Sequence, residues 1–136
     1  MKRFYIASKL ENAAQVKQLA EELKSVGWEH TYDWTVHGSV QKESEKRLAE
    51  VAVNGIEGVI KADYTIALLP GGRGTHTELG AAIVGKGWNE ESKIIIWAES
   101  NEFFLQDEKT CSFYWLPGVI QIVCPFEKLS RYITSL

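Results

Sequence analysis

The run Asp63-Tyr64-Thr65-Ile66-Ala67-Leu68-Leu69 constrains this chain more than any other segment. It is short, almost uniformly apolar and closed by a proline-glycine turn, which is the pattern of a parallel strand covered on both faces. Such a strand lies in the middle of an α/β sheet, so the rest of the chain has to supply helices for both sides. The next residues are Pro70-Gly71-Gly72-Arg73-Gly74-Thr75-His76-Thr77-Glu78-Leu79-Gly80. Gly71 and Gly72 let the backbone turn sharply and approach a ligand without Cβ interference, and Gly74-Thr75 opens a helix whose free N–H groups and dipole favour an anion. The loop suits a phosphate or a sugar. Ala81 to Val84 continue the helix, and Gly85 or Gly87 is its expected stop. Glu78 falls about one turn in. Since the crevice of an open α/β sheet lies beyond the carboxyl ends of its strands, this carboxylate either points into a ligand site or merely complements the helix N-terminus.

The flanking segments fit such a sheet. Arg3 to Ala7 reads as the first strand, and Asn12 is placed to cap a helix with Ala13, Val16, Leu19, Ala20, Leu23 and Val26 along one face and Gly27 as its stop. Trp28 to Trp34 reads as the second strand, with a polar loop from Thr35 to Lys42 at its carboxyl end. A long helix follows with Leu48, Val51, Ala52, Gly55, Ile56, Val59 and Ile60 at 3,4 spacing, in which Gly55 and Gly58 suggest close packing. Lys93 to Trp97 and Val119 to Val123 supply strands four and five, and Pro125 to Ile133 a closing helix entered through proline. The βαβαβαββα order implies a parallel sheet with right-handed crossovers. The expected fold class is therefore α/β, a single Rossmann- or flavodoxin-like domain over residues 1–136. Its five strands should lie in the order 2-1-3-4-5 with helices on both faces, since strand three must sit beside strand one to bring the Gly71 loop next to Ser8. The segment from Glu99 to Pro117 is unusually aromatic, with Phe103, Phe104, Phe113, Tyr114 and Trp115. It reads as a lid, an oligomer contact, or packing against the sheet edge.

A chain of 136 residues can bury about two-thirds of its unfolded surface without a staple. The net charge of −3 comes with interspersed Lys and Glu and no basic stripe, which argues against a nucleic-acid partner and for a small molecule. No apolar stretch approaches the ~20 residues of a membrane helix, and Cys111 and Cys124 without a clustered His make a poor metal set. A cytoplasmic protein with reduced thiols, no membrane contact, no metal and no cofactor is the expectation.

Three segments together carry a resemblance. Phe4-Tyr5-Ile6-Ala7-Ser8, Lys61-Ala62-Asp63-Tyr64-Thr65-Ile66-Ala67 and Gly74-Thr75-His76-Thr77-Glu78-Leu79-Gly80 look like the nucleoside 2-deoxyribosyltransferase family, including its deoxynucleoside 5′-monophosphate N-glycosidase branch. The run from Pro70 to Thr75 with Glu78 is also similar to the PGGxGTxxE signature of LOG-type nucleoside-monophosphate phosphoribohydrolases. Both families cleave an N-glycosidic bond with this glutamate. The resemblance implies a nucleoside or nucleotide ligand and Glu78 as the anion at the anomeric carbon, about 3 Å away, where an oxocarbenium-like transition state needs it. It implies Tyr5 as the hydrogen-bond donor to that carboxylate, against an ordinary strand aromatic. Ser8 and Lys9 then fall where the monophosphate branch holds the 5′-phosphate, with Arg73 and the backbone of Gly71, Gly72, Gly74, Thr75 and His76 completing the substrate contacts. The alternative for Ser8, Lys9 and Arg73 is solvated surface. Related enzymes complete their sites across a subunit contact, so a homo-oligomer, a dimer or higher, is implied as well.

The chain departs from that family in two places. The acid expected eight residues before Asp63 is absent, because Gly55 stands there, and Asn54 beside it cannot donate a catalytic proton. Asp33 and His37, at the carboxyl end of strand two, are the nearest substitutes by topology, and Asp33 is the catalytic candidate of the two, against a solvated loop. Gly72 replaces the acidic residue six positions before the glutamate, which with Arg73 favours a phosphorylated ligand. Asp63, at the far end of its strand, reads as structural. Cleavage or transfer at the N-glycosidic bond is the first functional reading. A catalytically weak nucleotide-binding or sensing domain on the same scaffold is the second, and a domain processing NAD or ADP-ribose a distant third.

Overall fold

The computed structural model describes residues 1–86 and 93–136. Five strands, β1 (Arg3–Ala7), β2 (Glu29–His30), β3 (Tyr64–Leu68), β4 (Ile94–Ala98) and β5 (Val119–Val123), form one parallel sheet in the order β2-β1-β3-β4-β5. Helices α1 (Ala13–Ser25) and α4 (Leu129–Thr134) cover one face, and α2 (Glu45–Lys61) and α3 (Arg73–Lys86) the other. The expected α/β fold and strand order are present.

The period-2 alternation of the strands builds the two layers. In β1, Phe4 and Ile6 join Val16, Leu19 and Leu23 of α1 and Leu129 and Ile133 of α4, whereas Tyr5 and Ala7 join Val59 of α2 and Leu79, Ala82 and Ile83 of α3. All five residues of β3 and of β4 are buried, as central strands require. Asp63 stays outside the strand, accepting a hydrogen bond from the Arg3 amide at 2.8 Å and pairing with its guanidinium at 3.6 Å. Its reading as structural stands.

Several boundaries differ from the expected ones. Strand two is only two residues long, because Asp33 starts a 3-10 turn over Trp34–Val36 and the Trp34 indole folds back to donate to the Ile6 carbonyl at 2.8 Å. Asn12 does not cap α1. A 3-10 turn over Leu10–Asn12 leads in, and the Asn12 amide donates instead to Ser8 Oγ at 2.9 Å and the Pro70 carbonyl at 3.0 Å, joining the chain after β1 to the glycine loop. Gly27 does end α1, with φ of +92°. Gly85 lies inside α3 and does not stop it, while Gly87 falls outside the described residues. The closing helix begins as a 3-10 turn, Phe126–Lys128, before α4.

In α2 only Gly55, Gly58 and Val59 of the described stripe are buried, and Leu48 and Ile60 at its margins stay exposed. Both glycines bring the helix down onto the sheet: a Cβ at Gly58 would sit 2.8 Å from Tyr32 Cβ and 3.0 Å from the Tyr5 ring. The close packing expected of them is realised. The aromatic segment folds as two 3-10 turns, Asn101–Phe104 and Ser112–Trp115. Phe104 and Tyr114 pack edge to face at 6.0 Å within the α2/α3 layer, whereas Phe113 and Trp115 remain about half exposed. Two of its aromatics are thus packing residues.

Candidate active site

The connection order of the sheet reverses between β1 and β3, since β1 continues outward to β2 and the chain returns to the other side as β3. A crevice opens at such a point, beyond the carboxyl ends of the strands. Here a cavity of about 630 Å³ lies against the ends of β1 and β3 and under the middle of α2. Its volume is in the range of small-molecule sites.

Tyr5 and Glu78 form its floor. The Tyr5 hydroxyl donates to Glu78 Oε2, joining β1 to the second turn of α3. Gly55 of α2 completes the contact, because a Cβ there would stand 2.8 Å from Glu78 Oε2 and 3.7 Å from the Tyr5 hydroxyl. The position at which the resembled family carries an acid is therefore the space that the Glu78 carboxylate needs. Burial pushes the Glu78 carboxyl up to about 7, with the Tyr5 hydrogen bond restraining the rise. Tyr5 moves up as well, out of the ordinary tyrosine range, through burial first and then through the charge of Glu78, their hydrogen bond and Tyr32.

The glycine loop is held by its own helix start. The Gly72 amide donates to Thr75 Oγ1 at 3.0 Å and the His76 amide to the Gly72 carbonyl at 3.2 Å, so Thr75 plays the part of the reach-back residue of a capping box. Gly71 packs beneath, where a Cβ would meet Thr75 Cγ2 at 2.7 Å. The His76 ring adds a second contact to the Gly72 carbonyl through Nδ1 at 2.8 Å and reaches the Tyr114 hydroxyl through Nε2 at 2.7 Å. A carbonyl only accepts, so Nδ1 carries the proton and, in the neutral ring, Nε2 accepts from Tyr114. The first amides of α3, before that of His76, have no acceptor within the helix, and Gly74 and Thr75 line the cavity.

Of the residues singled out in the sequence, Tyr5, Ser8, Lys9, Gly72, Arg73, Gly74, Thr75 and Glu78 share this cavity. Ser8 is already engaged, donating to the Leu68 carbonyl at 2.8 Å and accepting from Asn12, and Lys9 pairs with Glu11 at 3.7 Å. Gly71 and His76 are not on the wall but behind it, shaping the loop. Asp33 is also off the wall. Its carboxylate accepts from the Thr35 amide at 3.0 Å and hydroxyl at 2.5 Å, within its own turn. The opposite wall comes from Tyr32, Trp34, the His37 to Gln41 stretch, and Val51, Ala52 and Ile56 of α2, and of these only His37 was named in the sequence as a candidate for the site. Its signal was the polar loop at the carboxyl end of strand two. Among the described residues no group of three or more His, Cys, Asp or Glu is placed to hold a metal ion, and none of the helices is long and apolar enough to cross a membrane.

No family model and no curated protein matches the sequence. Among solved structures the chain is similar to the CMP N-glycosidase BcmB of Clostridium botulinum, at 19% identity over 98% of each chain with a TM-score of 0.64. It is also similar to a 2-deoxyribosyltransferase of Bacillus psychrosaccharolyticus, at 21% identity over 74% of each chain with a TM-score of 0.51. Both likenesses establish the fold.

The buried carboxyl has a thermodynamic signature. Because the folded state holds the Glu78 proton up to about pH 7 and the unfolded chain releases it near the ordinary glutamate value, the group's stabilising contribution is complete at low pH and lost as pH rises to about 7. Glu78→Gln is uncharged throughout, so its stability relative to wild type should rise between pH 5 and pH 8 by up to about 3 kcal/mol, read from urea unfolding at the two pH values. An unchanged difference would place the Glu78 carboxyl at its ordinary value.

Proposed function

We propose that this chain cleaves, or transfers across, the N-glycosidic bond of a nucleoside or nucleoside 5′-monophosphate, with Glu78 as the anion at the anomeric carbon. The observation that carries this reading is the partly buried Tyr5–Glu78 pair on the floor of a nucleotide-sized cavity. As the C1′–N bond opens, positive charge grows on the sugar, and a carboxylate held by one hydrogen bond in a poorly hydrated site is suited to face it, either as an ion or as a covalent nucleophile. Tyr5 keeps that carboxylate in one position. The nucleoside 2-deoxyribosyltransferase-like family is the one in which this reading places the chain, and the likeness to a CMP N-glycosidase along its whole length supports a monophosphate among the substrates. The reaction would take place in the cytoplasm, where Cys111 and Cys124, both free, stay reduced.

Incubation of the protein with a panel of nucleosides and their 5′-monophosphates, followed by chromatography for free base, tests the reaction. On the best substrate, Glu78→Gln should lower turnover by at least 10²-fold while leaving ligand binding in place, the scale of losing a principal electrostatic stabiliser. Wild-type turnover in this variant would return Glu78 to a helix-terminus charge and favour a nucleotide-binding domain.

The phosphate end is assigned to Lys9, Arg73 and the first-turn amides of α3, with Ser8 and Gly72 closing the loop around them. Calorimetry should then show a 5′-monophosphate binding more tightly than its nucleoside by about 1.5–3 kcal/mol, with Arg73→Ala removing much of the difference. Equal affinities would favour a free nucleoside.

The same reading carries a homo-oligomer, for which the exposed Leu48, Val53 and Ile60 of α2 and the half-exposed Phe113 and Trp115 offer apolar surface. Light scattering at micromolar concentration should report at least a dimer, and a monomer would remove this part of the proposal.

A further inference from the structure

Glycine leaves the backbone free to adopt many conformations, so a loop reading Pro70-Gly71-Gly72 has to be held from outside if it is to present a fixed set of amides to a ligand. The hold is centred on one carbonyl. Gly72 precedes α3, and its C=O receives two donors from the same residue, the His76 amide at 3.2 Å and the His76 ring through Nδ1 at 2.8 Å. An ordinary helix start supplies only the amide. The ring contact is the shorter of the two, and it is braced in turn. Its Nε2 accepts from the Tyr114 hydroxyl at 2.7 Å, and the two rings stack with centroids 5.8 Å apart. A Cβ on Gly71 would stand 3.1 Å from His76 Cε1, so a glycine at that position leaves the imidazole its place.

Tyr114 is suited to keep that ring still. It is buried, packs edge to face on Phe104 at 6.0 Å, donates its amide to the Cys111 carbonyl at 2.9 Å, and accepts the Gln121 side-chain amide of β5 on its own carbonyl at 2.9 Å. Burial, and after it the nearby Cys111, pushes the Tyr114 hydroxyl up to about 12, so it keeps the proton it donates. A continuous set of contacts therefore runs from β5 through Tyr114 and His76 to the Gly72 carbonyl, joining residues 38 positions apart in the sequence at its central bond.

The consequence falls on the next peptide plane. The Gly72–Arg73 peptide is trans, so its N–H and C=O point in opposite directions. With the carbonyl drawn toward His76, the Arg73 N–H points the other way, off the start of α3, where Gly72, Arg73, Gly74 and Thr75 line the cavity. The Gly72 amide is itself spent on Thr75 Oγ1 at 3.0 Å. The amides open to an anion thus begin at Arg73, and the direction of the first is set by a carbonyl that His76 holds.

We infer that His76 and Tyr114 are positioning residues for the phosphate end of the cavity, an assignment that rests on the phosphate reading of the glycine loop given above. Neither lines the cavity. His76 fixes the Gly72–Arg73 peptide from behind the wall, and Tyr114 acts through His76. The preference for a 5′-monophosphate over its nucleoside is in this way set in part by the aromatic segment. A nucleoside, which carries no anion, gains nothing from the arrangement.

Calorimetry with cytidine and cytidine 5′-monophosphate tests this on the parent protein and on His76→Phe, His76→Asn, Tyr114→Phe and Trp115→Phe, all carrying Glu78→Gln so that the ligand is not consumed during titration. The readout is the ratio of the two affinities, which a general loss of stability does not move. His76→Phe removes the ring donor and should lower the ratio about 10-fold, the scale of one hydrogen bond. The side-chain amide of His76→Asn stands where Nδ1 stood, so this variant should recover most of the ratio without reaching Tyr114. Tyr114→Phe keeps the packing, removes only the hydroxyl, and should lower the ratio about 3-fold. Trp115→Phe breaks a neighbouring bond of the same segment, to Thr110 at 3.0 Å, and should leave the ratio at the parent value. An unchanged ratio in either His76→Phe or Tyr114→Phe, a loss in His76→Asn equal to that in His76→Phe, or a loss in Trp115→Phe would overturn the assignment while the phosphate reading stands. A parent protein that binds the two ligands equally, or neither, would overturn that reading and the assignment with it.

Discussion

A partly buried carboxyl group beneath a helix is the constraint to which the rest of this site conforms. Partial loss of solvation raises the Glu78 carboxyl to about 7. A buried polar group of this kind persists only where it is hydrogen-bonded. Tyr5 supplies the bond, which requires that β1 direct an odd-numbered side chain toward α2 and α3 while Phe4 and Ile6 fill the opposite layer. Gly55 supplies the room, since any Cβ at that place would collide with Oε2. Three elements distant in sequence therefore meet at one oxygen, and a shift of any of them would leave the carboxyl unpaired or crowded.

The glycine loop is secured from two directions. On the β1 side, Asn12 bridges Ser8 and the Pro70 carbonyl; on the side of β4 and β5, His76 bridges the Gly72 carbonyl and Tyr114. Tyr114 is itself packed against Phe104 and accepts through its carbonyl the Gln121 amide of β5 at 2.9 Å. The aromatic segment is in this way a buttress for the loop. Its two most buried rings are accordingly Tyr114, which meets His76, and Phe104, which backs Tyr114, whereas Phe113 and Trp115 stay outside.

Much of this was readable from residue order alone, for identifiable physical reasons. The apolar run at 63–69 has no other home than a central strand, and a glycine loop followed by a helix with one early carboxylate projects that carboxylate into the crevice, so Glu78 and the strand order followed together. The α2 stripe misled at its edges, because the two glycines that bring the helix close also narrow the buried face, leaving Leu48 and Ile60 in solvent. Strand two was read as too long because Trp34 is as apolar as a strand residue, yet its indole N–H found the Ile6 carbonyl. Asp33 was preferred to His37 from the sequence, where nothing showed how either side chain is bonded. The structure separates their surroundings: Asp33 closes on Thr35 two residues away, as Asp does at turns, whereas His37 lines the cavity.

A raised carboxyl is a poor anion in the empty cavity and a better one when positive charge develops beside it. Its stabilisation is then greater in the transition state than in the ground state, and only such differential stabilisation accelerates a reaction. Under the proposed function, a ligand phosphate near the start of α3 would oppose the ionisation of Glu78 by like charge, but the helix start would supply donors to the phosphate as Tyr5 does to the carboxylate, so each anion would have its own donors. The wall at His37 carries no carboxylate that could compete for the sugar's charge, Asp33 being turned into its own loop. The cavity thus has the start of α3 with Lys9 and Arg73 at one end, the Glu78 carboxyl on its floor, and Tyr32 and His37 on the opposite wall. Under the proposed function, that arrangement suits a ligand with its own anion at one end and a planar base at the other, with Glu78 beneath the bond between sugar and base.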